Sequence, residues 1–147
     1  MRFRNIESGD FEKYIEMATD FYASPAVLSP IPRENIQKTA ELCIKGTPYA
    51  ALYIFEEKNE VLGYGLLALT HSQEGGGLCC WLEEIYVVPE ARGRGIGGEF
   101  IEFVKKSVPA VRFRLEVEPE NSRVVSLYKQ HGFYTLGYDA YVLDRVL

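Results

Sequence analysis

Cysteine is scarce in this chain, and so are histidine and tryptophan: three, two and one among 147 residues. The cysteines are Cys43, Cys79 and Cys80. Neighbouring strand residues face opposite ways, so the last two cannot serve one bridge as adjacent ligands or partners. A disulfide framework is excluded, zinc-ligand spacing is missing, and a reducing cytoplasm suits the thiols. Apolar runs are short. None reaches the roughly 20 residues that cross a bilayer, and Met1-Arg2-Phe3-Arg4-Asn5-Ile6-Glu7 has no apolar core of a leader peptide. A basic excess is also missing. The net charge of −5 excludes a general nucleic-acid surface, which needs a positive face. Repeats, low-complexity tracts and long linkers are lacking, which leaves one domain over 1–147.

Against this background one stretch is unusual. Val88-Pro89-Glu90-Ala91-Arg92-Gly93-Arg94-Gly95-Ile96-Gly97-Gly98 follows a β-rich apolar run, Leu82 to Val88, and precedes an amphipathic segment from Glu99. Glycines let a backbone approach a ligand and turn its N–H groups inward. A helix start adds unpaired N–H groups and a positive dipole end, and Arg92 and Arg94 add charge-assisted donors. The combination describes an anion site suited to a pyrophosphate.

The remaining pattern supplies a frame. Phe3 to Ile6 reads as a strand. Ser8-Gly9-Asp10 offers N-cap chemistry, and Phe11, Tyr14, Ile15, Ala18 and Phe21 follow at helical spacing. Pro32 suits the first turn of a second helix, with Ile36, Ala40, Cys43 and Ile44 apolar and Gly46 and Pro48 ending it. Tyr49 to Glu56 and Val61 to Thr70 read as a hairpin around Lys58-Asn59-Glu60. A loop, Gln73 to Gly77, leads to a strand from Leu78 to Val88. A helix to about Ser107 buries Phe100, Ile101, Val104 and Val108 and pairs Glu102 with Lys106. Pro109 stops it. Val111 to Val117 reads as a strand and Asn121 or Ser122 caps a helix to His131. Phe133 to Leu136 and Tyr141 to Val146 read as closing strands. Hairpins followed by crossover helices imply a mixed α+β fold.

Two owners compete for the glycine loop. Gly93, Gly95 and Gly98 satisfy G-x-G-x-x-G, with Glu116 and Glu118 about 20 residues on, where a dinucleotide fold places its ribose-binding acid. Three features oppose that reading. Pro89 to Arg92 separate the loop from its strand, 92 residues precede Gly93, and the remaining residues are too few for further βαβ units.

The pattern instead resembles the acetyl-coenzyme A (acetyl-CoA) loop of the GNAT family of N-acetyltransferases. Arg92-Gly93-Arg94-Gly95-Ile96-Gly97 completes Q/R-x-x-G-x-G/A, behind Val87-Val88-Pro89. Downstream, Asn121 to Phe133 follows N-x-x-[AS]-x-x-[LF]-Y-x-x-x-G-F with one residue of slack at its start. The resemblance implies a central mixed, mostly antiparallel sheet of about six to seven strands with about four helices. It implies acetyl-CoA as acyl donor, no metal, and direct attack by an amine.

Leu82-Glu83-Glu84-Ile85-Tyr86-Val87 is similar to the L-E-D-x-x-V stretch of family members that acetylate polyamines and glucosamine phosphate. That likeness makes Glu83 the base and Glu84 a contact for the acceptor's ammonium. Alternation would send the two acids to opposite faces unless a bulge re-aims them. By the same resemblance Tyr128 is the general acid near sulfur, and the backbone of Ile85, Tyr86 and Val87 pairs with the pantetheine arm. Arg92, Gly93, Arg94, Gly95, Ile96, Gly97 and Gly98 hold the pyrophosphate, and Asn121 contacts the coenzyme. Phe21 and Tyr22, with the Pro25–Pro32 segment, line the acceptor site. The expected acceptor is a small-molecule amine, polyamine or amino-acid-like. A peptide or protein amine, or a module that holds acyl-CoA without turnover, stay open as alternatives. No nucleic-acid or membrane partner is expected, and a homodimer is compatible with the family.

Overall fold

The computed structural model describes residues 1–146. Five strands form one sheet in the order β1-β2-β3-β4-β5: β1 Arg2–Asn5, β2 Ala50–Glu57, β3 Glu60–Ser72, β4 Gly77–Val87 and β5 Arg112–Arg114. The first four are antiparallel neighbours, and β5 runs parallel to β4. Four helices accompany them: α1 Phe11–Tyr22, α2 Arg33–Lys45, α3 Ile96–Ser107 and α4 Ser122–Gln130.

The sheet is covered on both faces, as adjacent residues of β3 show. Tyr64 meets Tyr14 of α1 edge-on at 4.9 Å between ring centroids. At Gly65, one residue on, a Cβ would fall 2.2 Å from the Phe100 ring of α3. The pleat's alternation therefore sorts α1 to one face and α3 to the other, and Gly65 is required for α3 to lie so close. The α3 face is aromatic. Phe100 packs against Phe55 at 4.7 Å, Phe3 at 5.4 Å and Tyr53 at 5.9 Å. The hairpin turn between β2 and β3 puts Lys58 and Asn59 at φ 51° and 64°, the paired left-handed turn whose twist matches its strands.

Several boundaries differ from the sequence pattern. Pro32 stands just outside α2, as its N-cap, and α3 begins at Ile96 rather than Glu99. Glu102 takes Lys105 at 3.0 Å and His131 at 2.8 Å in place of Lys106. The fifth strand covers only Arg112–Arg114 of the expected 111–117. Residues 133–136 and 141–146 form no strand, so among the described residues the sheet has five strands rather than six or seven. Those segments have β-forming side chains but no ladder partner in this chain, and backbone pairing, not propensity, makes a strand. Among the described residues, no helix is long and apolar enough to cross a membrane.

Candidate active site

Strands β4 and β5 touch only briefly. Cys79, Cys80 and Trp81 pair with Arg112, Phe113 and Arg114, and the ladder then stops. Beyond it the two parallel chains part. The opening holds a cleft of about 680 Å³, lined by Ile85, Tyr86 and Val87 on one side and by Glu118, Glu120 and Asn121 on the other. Phe21 from the end of α1 and the Ser24–Ala26 turn close a third side, and Arg92 stands at its rim. Splayed parallel strands leave main-chain N–H and C=O groups of β4 without a strand partner on that edge, which suits an extended amide-bearing ligand.

The glycine loop adjoins this cleft. Gly93 and Gly95 adopt φ +81° and +79°, a conformation that glycine adopts without penalty. Gly95 is the N-cap of α3, and Ala91 and Ile96 anchor the exposed loop between two buried side chains. The first N–H groups of the helix, on Ile96, Gly97 and Gly98, have no acceptor within the helix and point out of its end. These features fit a pyrophosphate. Gly98 has a different role. A Cβ there would sit 3.0 Å from Nε2 of His131, so its smallness admits the end of α4 against α3.

Both arginines of the loop have acidic partners that the sequence pattern does not reveal. Arg94 pairs with Glu57 at 2.7 Å, which holds the Glu57 carboxyl below its usual range. Arg92 donates from Nε to the Val87 carbonyl at 2.8 Å, lies 5.5 Å from the Tyr86 ring centre and approaches Asp20 at 3.9 Å. Tyr86 in turn donates to Asp20 at 2.6 Å, and burial pushes its hydroxyl up to about 12. Arg92 is thereby held against the cleft edge of β4.

A bulge interrupts β4 at the paired acids. Leu66 opposes Glu84 while the next residue, Leu67, opposes Leu82, so Glu83 is the extra residue. It re-aims the two acids. Leu82 and Ile85 keep the parity of Leu67 and Gly65, which is the α3 face, and Glu84 keeps that of Tyr64 and Leu66, which is the α1 face. Glu84 is buried, at 9 % exposure. Tyr22 donates to one of its oxygens and Tyr64 donates to the other at 2.7 Å. Burial raises its carboxyl above the usual range and outweighs the two hydroxyls, which act to lower it. Glu83 is exposed at the bulge. Partial desolvation raises its carboxyl too, with Glu116 and Glu84 adding like charge.

Of the expected site residues, Phe21, Ile85 to Val87, Arg92 and Asn121 line the cleft; Tyr22, Glu83 and Glu84 do not, and lie beside it at the end of α1 and the bulge of β4. Tyr128 does not line the cleft either. Its half-buried side chain faces a second groove with Trp81 and Glu116, and its ring meets Phe133 at 5.9 Å. Desolvation raises its hydroxyl, which keeps the proton on it. The sequence reading missed Asp20, Tyr64 and Glu120. Tyr64 was discoverable, because it precedes Leu66 on the one β3 face that an antiparallel partner would share with Glu84. Among the described residues, no cluster of three or more histidine, cysteine or acidic side chains could hold a metal ion.

Comparison with known proteins identifies the architecture. The sequence profile described as "Acetyltransferase (GNAT) family" matches residues 11–133. The chain belongs to the GNAT acetyltransferase family. It is 40% identical over 75 residues to thialysine N-epsilon-acetyltransferase of Mus musculus, covering 49% of this chain and 44% of that protein. An uncharacterised N-acetyltransferase of Bacillus subtilis, YhfO, is 31% identical over 87 residues, covering 57% of this chain and 58% of its own. The chain thus spans about half the length of the curated relatives it matches. Among solved structures, a possible acetyltransferase from Clostridium difficile superposes with a TM-score of 0.82 at 17% identity, covering 99% of this chain and 98% of that one. The aminoglycoside N-acetyltransferase AAC(6')-Iy, solved with CoA, gives 0.79 at 16% identity over 99% and 95% of the two chains. At those identities the GNAT structures attest the fold.

Proposed function

We propose that this GNAT domain transfers the acetyl group of acetyl-CoA to a primary amine of a small molecule. The observation that carries this reading is the β4–β5 opening with the glycine loop and its helix start at its edge, the acid-bearing bulge of β4 lying directly before the Ile85–Val87 wall.

The loop from Arg92 to Gly98 binds pyrophosphate through main-chain N–H groups and the two arginines. The free edge of Ile85–Val87 pairs with the pantetheine arm, and the Val87 N–H polarises the thioester carbonyl as charge develops on its oxygen. An alkylamine resembles lysine, with a pKa of about 10.4, and arrives protonated. Glu83, exposed at the bulge with its carboxyl raised, takes that proton directly or through water. Tyr128, one turn of α4 beyond the cleft-lining Val124, keeps its proton and donates it to the departing thiolate. Glu84 positions rather than touches: the bond it accepts from Tyr22 fixes that ring, which packs edge-on against Phe21 of the acceptor wall. Glu118 and Glu120 give that wall negative charge, which favours a cationic acceptor. The thialysine acetyltransferases match over part of the chain, and this supports an amino-acid-like or polyamine acceptor. Three free thiols support a reducing cytoplasm as its place of action.

The test is thiol release from acetyl-CoA across a panel of polyamines, amino acids, aminoglycosides, amino sugars and peptides. Release with small diamines or basic amino acids, and little with peptides, supports the reading. Tight acetyl-CoA binding with no release for any amine overturns it in favour of a holding module.

A further inference from the structure

Two tyrosine–carboxylate bonds running in opposite directions tie the end of α1 to β4. Tyr22 of α1 donates to Glu84 of β4, and Tyr86 of β4 donates to Asp20 of α1 at 2.6 Å. Phe21, between the two tied residues of α1, lines the cleft. Glu84 is buried, but the Asp20 side chain is 56% exposed and also faces Arg92, whose terminal nitrogen stands 3.9 Å away. These contacts differ in strength. The Tyr86 bond is short and charge-assisted, and its ring is buried, so it fixes the Asp20 carboxylate. The Arg92 pair is loose and half in solvent, and such pairs contribute little. A phosphate, whose oxygens match the guanidinium fork, replaces it readily. Asp20 then stays where Tyr86 holds it, without its counter-charge.

We propose that Asp20 couples the cofactor site to the acceptor site: a phosphate on Arg92 uncovers the Asp20 carboxylate beside Phe21, and the cleft then holds a cationic amine more tightly. This coupling rests on the acetyl-transfer reading and adds a positioning residue to it. Without the anion, Arg92 offsets the charge of Asp20 and repels an ammonium at the rim, where Arg92 and Tyr86 meet the cleft. With the anion in place, Arg92 is neutralised and both effects reverse. The opposite wall, with Glu118 and Glu120, stays negative throughout, so the change is confined to the Asp20 side. Binding couplings are reciprocal, so a bound amine tightens the anion site by the same factor.

Calorimetry with CoA and with putrescine, a small diamine, reads the two sites without turnover. Asp20→Asn keeps an oxygen that accepts the Tyr86 bond and removes only the charge. CoA should bind Asp20→Asn about threefold more tightly than wild type, because the anion beside Arg92 is gone. CoA should also tighten putrescine binding by wild type, by a factor about threefold larger than for Asp20→Asn. Direct attraction between the two ligands is common to both proteins and cancels in that ratio. Loss of structure weakens both ligands, whereas loss of a shared charge tightens CoA and lowers the coupling. Both effects should fade at roughly 0.5 M salt. CoA affinity that is unchanged or weaker in Asp20→Asn overturns the proposal. So does putrescine binding that is absent, or that CoA changes equally in the two proteins. Either result leaves the transfer reading to the amine panel. A wild type that does not bind CoA overturns that reading, and the coupling with it.

Discussion

The buried Glu84 carboxylate lies between two tyrosines, and Tyr64→Phe separates its charge from its packing. Tyr64 is fully buried and donates to Glu84 at 2.7 Å. Phenylalanine keeps the ring, its edge-on contact with Tyr14 and its stack with Tyr86 at 5.7 Å. Only the donor is lost. A hydrogen bond to a charged group contributes about 1.5–3 kcal/mol, against about 0.5–1.5 for a neutral one. At pH 8, Tyr64→Phe should therefore lower stability by about 2 kcal/mol, or roughly 4–8 °C in Tm for a domain of this size. In a Glu84→Gln background, where no charge is buried, the same change should cost about half as much. The pH dependence has a definite sign. Burial raises the folded carboxyl above its unfolded value, so the native state holds the proton longer. The stability associated with this group is fully present below the unfolded pKa and is lost as pH rises through the folded one. Tyr64→Phe removes an interaction that lowers that carboxyl, so it should extend the loss to higher pH. Urea unfolding of wild type, both single variants and the double variant measures the cycle. An equal cost of Tyr64→Phe in both backgrounds, at both ends of the pH range, would refute a buried charged Glu84.

Four further outcomes follow from the site. Glu83→Gln should lower kcat/KM by about 100-fold or more and remove the acidic limb of its pH profile, because the base is lost; unchanged steady-state kinetics would reassign it. Tyr128→Phe should reduce kcat more than the KM for acetyl-CoA, which stopped-flow thiol release resolves. Gly95→Ala places a side chain at φ +79°; calorimetry should show a loss of about 1 kcal/mol, with a raised KM for acetyl-CoA. Gly98→Ala puts a Cβ 3.0 Å from the His131 ring; it should cost about 1 kcal/mol or more, and His131→Ala should relieve most of that in the double variant.

The frame was legible wherever local pattern and pairing agree. Helices α1 to α4 and strands β1 to β4 carry their periodicity within themselves, and the Lys58-Asn59 turn sets the register of its hairpin. The closing strands were legible as strands but not as an arrangement. Tyr141 to Val146 has the side chains of a strand and, among the described residues, no ladder partner. Sequence pattern reports what a segment can become; a strand also needs a neighbour to pair with. The Glu102–Lys106 pairing failed for a related reason. Helical spacing allows it, but His131 arrives from α4, a tertiary contact made possible by Gly98.

The acid pair shows where reading by alternation stops. Glu83 and Glu84 look equivalent in sequence, two carboxylates in an apolar strand. Strict alternation would send one to each face. One extra residue in β4 against Leu66–Leu67 breaks that count: Leu82 and Ile85, three apart, both fall on the α3 face, and the two acids occupy the turn between them. The bulge spends its inserted residue on Glu83, which stays exposed, and keeps Glu84 in register with Tyr64, where two hydroxyls meet it. Their division of labour is therefore set by the partner strand. Deleting Glu83 removes the inserted residue and leaves Leu82 opposite Leu67 and Glu84 opposite Leu66 in a regular ladder, so Glu84 keeps its face and its tyrosines. The deletion and Glu83→Ala should therefore both remove the exposed acid, lower kcat/KM, and leave urea unfolding close to wild type. A loss of about 2 kcal/mol in the deletion alone, the contribution of the buried Tyr64 bond, would mean that Glu84 needs the bulge to reach its tyrosines.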